Sequence, residues 1–135
     1  MKFTFSGKTA HAGLDPWNGR SALDAVELMN VGANYLREHV QPSCRIQYVI
    51  TDGGKAPNIV PDRAQVWYTL RAPESALVDD MHQRLVNIAK GAALMTGTTL
   101  EIQFVKAVSN VLPNKVLGKQ LQKNYDELGA ARYDD

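Results

Sequence analysis

At 135 residues, 44% of them hydrophobic and 21% charged, the chain is long enough for one small domain that buries about two-thirds of the surface it exposes when unfolded. A formal net charge of +1 gives no electrostatic pull toward nucleic acid or acidic membranes, and a single cysteine, Cys44, excludes an internal disulfide framework and suits a reducing compartment. No run of about eighteen apolar residues and no charged-then-apolar leader at Met1 to Phe5 is present, so a soluble, cytoplasmic chain is expected.

The first predicted element is a strand from Lys2 to Ser6, with Phe3 and Phe5 on one face. A small-residue loop follows, Gly7-Lys8-Thr9-Ala10-His11-Ala12-Gly13, in which His11 can approach a ligand closely. A helix is predicted from Arg20 to Glu38, capped by Asn18 or Ser21. It carries Ala22, Val26, Met29, Ala33 and Leu36 on one stripe and Leu28, Gly32 and Tyr35 on a second. Strands follow at Arg45 to Thr51, with Ile46, Tyr48 and Ile50 inward, and at Ala64 to Leu70, with Val66 and Tyr68 inward. Asp52 to Asn58 joins them.

A second helix is predicted from Glu74 to Thr96, bearing Leu77, Val78, Met81, Leu85, Ile88, Ala92 and Met95 at helical spacing and ending at Gly97 as a C-terminal cap. A last strand, Leu100 to Val105, turns Ile102 and Phe104 inward. The opposite faces of the four strands collect polar residues such as Lys2, Thr4, Gln65, Thr69 and Glu101, the pattern of an antiparallel sheet with helices on one side. After Ser109, Pro113 and Asn114 open a helical repeat of Leu117, Leu121, Tyr125 and Leu128 that ends at Gly129 before the polar Arg132 to Asp135. On periodicity alone this tail is either a third helix docked on the domain or one whose packing surface lies elsewhere.

The order β-α-β-β-α-β is that of an α+β, ferredoxin-like sandwich, a four-stranded antiparallel sheet with strand order 4-1-3-2, two helices on one face and a C-terminal helical tail. That fold hosts many functions, so the chemistry must come from particular residues. The same order serves RNA-recognition modules, but only Trp67 is a large aromatic on the open face. Gly7-Lys8-Thr9 echoes the end of a phosphate loop, yet Lys2 stands where that loop needs its first glycine. Asp79 and His82 share a helix face and are expected to face solvent; with only His11, His39 and His82 as histidines, no metal site is expected in this chain.

Three motifs in order carry a resemblance. Gly7-x-x-x-His11 followed by Pro16 and Gly19-Arg20-Ser21-Ala22, then Asn58-Ile59-Val60-Pro61-Asp62-Arg63-Ala64, then Tyr68-Thr69-Leu70-Arg71 resemble the lid, or dimerisation, domain of the zinc-dependent amidohydrolase and exopeptidase family that includes aminoacylase, succinyl-diaminopimelate desuccinylase and glutamate carboxypeptidase. Five steps separate His11 from Pro16 where four are usual, which narrows the resemblance to members that cleave p-aminobenzoyl-glutamate. It implies a lid domain over residues 1–108 and a linker and helix over 109–135 leading toward a catalytic domain that would hold two divalent metal ions, zinc or manganese. It further implies that His11 stabilises an oxyanion in the opposite subunit's active site, while Asn58 and Arg71 contact substrate. The partners implied are that catalytic domain, a second copy in a homodimer or a related subunit in a hetero-oligomer, and a small N-acyl amino acid, with neither nucleic acid nor membrane. The chain alone would not catalyse. A stand-alone small-molecule binding or assembly module without catalysis is the other reading.

Overall fold

The computed structural model describes residues 1–129 and 131; the polar end expected at Arg132 to Asp135 lies outside the described residues. The elements run β1 (Lys2–Ser6), α1 (Ala22–Leu36), β2 (Arg45–Asp52), β3 (Arg63–Arg71), α2 (Ser75–Thr96), β4 (Thr99–Gln103) and α3 (Lys115–Leu128), with short 3-10 turns at Pro16–Asn18 and Arg37–His39. All pairings in the sheet are antiparallel and its order is β2-β3-β1-β4, the expected order read from the other edge.

Alternation places the core. Phe3 pairs with Val66 and Phe5 with Ala64 across β1 and β3, and all four side chains are fully buried beneath α1 and α2. Each phenylalanine so buried contributes about 1.5–3 kcal/mol. From α1 come Ala22, Val26, Met29, Ala33 and Leu36, as the first stripe predicts, and from α2 Met81, Leu85, Ala89, Ala92 and Ala93. One polar link crosses this core: the Tyr68 hydroxyl donates to Asn30 Oδ1 at 2.6 Å. Burial, then the neighbouring Tyr48, pushes the Tyr68 phenol well above its ordinary range, so it remains a protonated donor.

Several expectations are corrected at the margins. The first helix begins at Ala22 rather than Arg20, because Arg20 bridges to Lys8 in extended conformation; Ser21 is the cap, its Oγ accepting from the Asp24 N–H at 3.1 Å. Gly32, on the second stripe, is separated from the exposed Leu28 and Tyr35 of that stripe: a Cβ there would stand 2.6 Å from Ile88 Cγ2, so it is where α1 and α2 close on each other. β4 stops at Gln103, which pairs with Lys2, and Phe104 just beyond it is 68% exposed. Tyr48, Ile50 and Ile102 point inward by register but lie on the edge strands, where the helices cover them only in part. Met95 is exposed, since the inward line of α2 passes through Ala92 and Ala93 instead. Gly97 ends that helix in the left-handed region at φ 65°, as a C-terminal cap should.

The tail helix is capped by Asn114, whose Oδ1 accepts from the N–H groups of Val116 and Leu117. None of its residues is buried, so it is not docked on the sandwich, and Leu117, Leu121, Tyr125 and Leu128 face outward together.

Candidate functional site

His11 stands where the chain leaves β1 at the end of the sheet that carries Ser6 and Arg63. Two segments run side by side there. The Gly7 N–H donates to the Asp62 carbonyl at 2.7 Å, the Val60 N–H to Ala10 at 2.9 Å and the Ala12 N–H to the Asn58 carbonyl at 3.0 Å, while His11 and Ile59 form a bridge. This main-chain ladder brings His11 and Asn58 together from positions far apart in sequence, and both residues are exposed.

The glycine that opens the first motif has a steric reason. A Cβ on Gly7 would lie 1.9 Å from the Arg20 carbonyl oxygen, the same oxygen that accepts the Lys8 N–H at 2.9 Å. Only glycine permits that approach, which ties the base of the His11 loop to the start of α1. Within the loop, Asp15 Oδ1 accepts the His11 main-chain N–H at 3.1 Å and Asp15 Oδ2 accepts from Asn18 Nδ2 at 3.4 Å. The Gly13 N–H donates to His11 Nδ1 at 3.1 Å. Sequence reasoning does not single out Asp15; its one signal is the extra residue between His11 and Pro16, the stretch in which it lies.

Arg71 lies elsewhere. It is the last residue of β3, eight residues beyond Arg63, and at about 3.3 Å per extended residue it stands roughly 26 Å from the His11 end of the sheet. Beside it is an open cavity of about 650 Å³ lined by Met1, Asp79, His82, Phe104 and Lys106 among others. Asp79 is exposed but His82 is half-buried, correcting the expectation that both face solvent, and they form no hydrogen bond with each other. The structure thus joins two of the three candidates and sets the third apart.

Among the described residues, no three His, Cys, Asp or Glu side chains are grouped so that they could hold a metal ion. No helix among them is long and apolar enough to cross a membrane.

The family described as the peptidase dimerisation domain matches residues 1–96. The chain is 45% identical over 130 residues to one subunit of the p-aminobenzoyl-glutamate hydrolase of Escherichia coli K12, covering 96% of this chain and 27% of that protein. It is 34% identical to the Xaa-Arg dipeptidase of Mus musculus, covering 93% of this chain and 29% of that one. Among solved structures, the aminobenzoyl-glutamate utilization protein from Klebsiella pneumoniae superposes with a TM-score of 0.72 at 24% identity, over 95% of this chain and 33% of its own. The chain therefore spans little more than a quarter of the length of the curated relatives it matches.

Proposed function

This chain belongs to the peptidase dimerisation domain family, and on that premise we propose that it is the lid and dimerisation domain of a metal-dependent amidohydrolase that cleaves an N-acyl amino acid, foremost p-aminobenzoyl-glutamate. The reading rests on one observation above the rest: the main chain bridges His11 to Ile59 and Ala12 to Asn58, which keeps the segments of His11 and Asn58 adjacent on an exposed rim. His11 would donate a hydrogen bond to the oxygen of the scissile carbonyl as negative charge develops there. Asn58 would orient the substrate beside it. Arg71 would hold a substrate carboxylate with its planar guanidinium. The two divalent ions that the family resemblance implies, zinc or manganese, would be held outside this chain, in a catalytic domain joined to it through residues 109–135.

The distance between the two ends of the sheet bears on how the site is assembled. A separation of roughly 26 Å is longer than a small acyl amino acid can bridge, so His11 and Arg71 of one copy would serve different substrate molecules. A dimer resolves this: each pocket would take Arg71 from one copy and His11 with Asn58 from the other. The outer edge of β2 offers unpaired main-chain groups, and Leu28, Val31 and Tyr35 of α1 are exposed, Tyr35 at 69%. Pairing β2 edge to edge would extend the sheet across a two-fold axis. The partner would be a second copy or a related subunit.

Two outcomes are expected for the 135-residue chain on its own. Incubated with p-aminobenzoyl-glutamate and zinc or manganese, it should release no p-aminobenzoate, since His11 alone cannot activate water. Turnover that copurifies with the chain through every step would overturn the lid assignment. In sedimentation velocity it should show a concentration-dependent dimer that Leu28→Glu with Tyr35→Glu shifts to monomer; a strict monomer at high concentration would exclude the β2 edge as the interface.

A further inference from the structure

We infer that the Gly13 main-chain N–H fixes His11 in the tautomer that carries its proton on Nε2, and that Asp15 is the positioning residue that folds the loop so that Gly13 reaches the ring. A neutral imidazole has one nitrogen that donates and one that accepts, and a main-chain N–H can only donate. The 3.1 Å contact from Gly13 to Nδ1 therefore marks Nδ1 as the acceptor and leaves the proton on Nε2. The closeness is independent of that bond: a Cβ on Gly13 would lie 3.5 Å from His11 Cε1 and 3.7 Å from Nδ1. Nε2 makes no hydrogen bond to any described residue, so its N–H is free to point away from the domain.

The loop is closed by its own polar groups. Asp15 accepts the His11 N–H, its own N–H and that of Leu14 return to the His11 carbonyl at 3.1 and 3.3 Å, and Asn18 ties the second carboxylate oxygen. Chain direction reverses within three residues, which is what places Gly13 under the ring. The consequence deepens the proposed function and rests on it: with Nδ1 taken by the Gly13 N–H, His11 would present an Nε2–H donor toward the oxyanion. The tautomer itself depends on no substrate.

The test is nitrogen NMR on the ¹⁵N-labelled chain at a pH where imidazole is neutral. His11 should show a protonated Nε2, an unprotonated Nδ1 and a scalar coupling across the hydrogen bond from the Gly13 amide to Nδ1. Asp15→Ala should lose the coupling and move His11 toward the tautomer mixture of an unrestrained imidazole, while Asp15→Asn, which keeps an acceptor oxygen, should restore the parent signature; amide signals of β1 and β3 report that the sheet is intact. A proton on Nδ1 or a tautomer mixture in the parent would overturn the inference, and an Asp15→Ala spectrum identical to the parent at His11 would remove Asp15 from it. A complete enzyme that keeps parental turnover as His11→Ala, while the lid shows the expected signature, would instead count against the function, so the two failures are distinct.

Discussion

Replacing His11 with alanine in the complete enzyme should lower turnover of p-aminobenzoyl-glutamate by roughly a hundredfold to a thousandfold, with little change in metal content or melting temperature. A donor aimed at a developing oxyanion acts on the transition state, and removing one such donor costs on the order of 10²–10³ in rate. The loss should fall on kcat and on kcat/KM alike, the mark of an interaction made in the transition state. The ring lies on an exposed loop and contributes nothing to the buried core, so the fold has no reason to suffer. Steady-state kinetics with metal analysis checks this; a variant that keeps parental turnover would leave His11 an ordinary loop residue.

A second large effect is expected from the smallest possible change. Gly7→Ala adds one methyl group, but its Cβ would stand 1.9 Å from a main-chain oxygen that cannot rotate away. The Lys8–Arg20 bridge, with N···O distances of 2.8 and 2.9 Å, must open for the methyl to fit. Overpacking of this kind costs about 1–3 kcal/mol, and here it falls on the base of the loop that carries His11. A displacement of about 1 Å at a catalytic group can cost on the order of a hundredfold in rate, so Gly7→Ala should lose both stability and turnover. Gly91→Ala supplies the contrast. Gly91 lies inside α2 with nothing within 4 Å of an added Cβ, and there the same substitution should stabilise by about 0.5–1 kcal/mol. Denaturant midpoints of the two variants should move in opposite directions; a shift of both in the same direction would contradict the steric account of Gly7.

These effects also separate what is legible in the sequence from what is not. Period-two alternation at Phe3 and Phe5, at Val66 and Tyr68, and the helical spacing from Ala22 to Leu36 are enough to set strand faces and helix faces, and the handedness of the two β-α-β halves sets the strand order. The misplacements arise where distant residues decide a local question. Arg20 has helical neighbours but is drawn into a bridge by Lys8; Phe104 continues an alternation past Gln103, the last paired residue of β4; Gly32 is placed by Ile88 on another helix. The candidate site follows the same rule. Motif order along the chain identifies His11, Asn58 and Arg71, but chain order holds no distances. Only the antiparallel path of β3 reveals that Asn58 comes to His11 while Arg71 is carried to the far end of the sheet. Asp15 is marked in the sequence only by the extra residue between His11 and Pro16, because its role is a turn whose hydrogen bonds no spacing spells out.

The central claim is that His11 serves the active site of the other subunit, and mixing two inactive variants of the complete enzyme tests it most directly. One subunit would carry His11→Ala; the other would keep His11 but have its water-activating group, outside this chain, disabled. If subunits exchange at random, half of the dimers are hybrids and each hybrid holds one pocket with every intact group, so about a quarter of parental activity should return. Activity should rise on mixing at the rate of subunit exchange. If His11 instead served the active site of its own subunit, every pocket in the hybrid would lack one group or the other, and the mixture would stay as inactive as its parts.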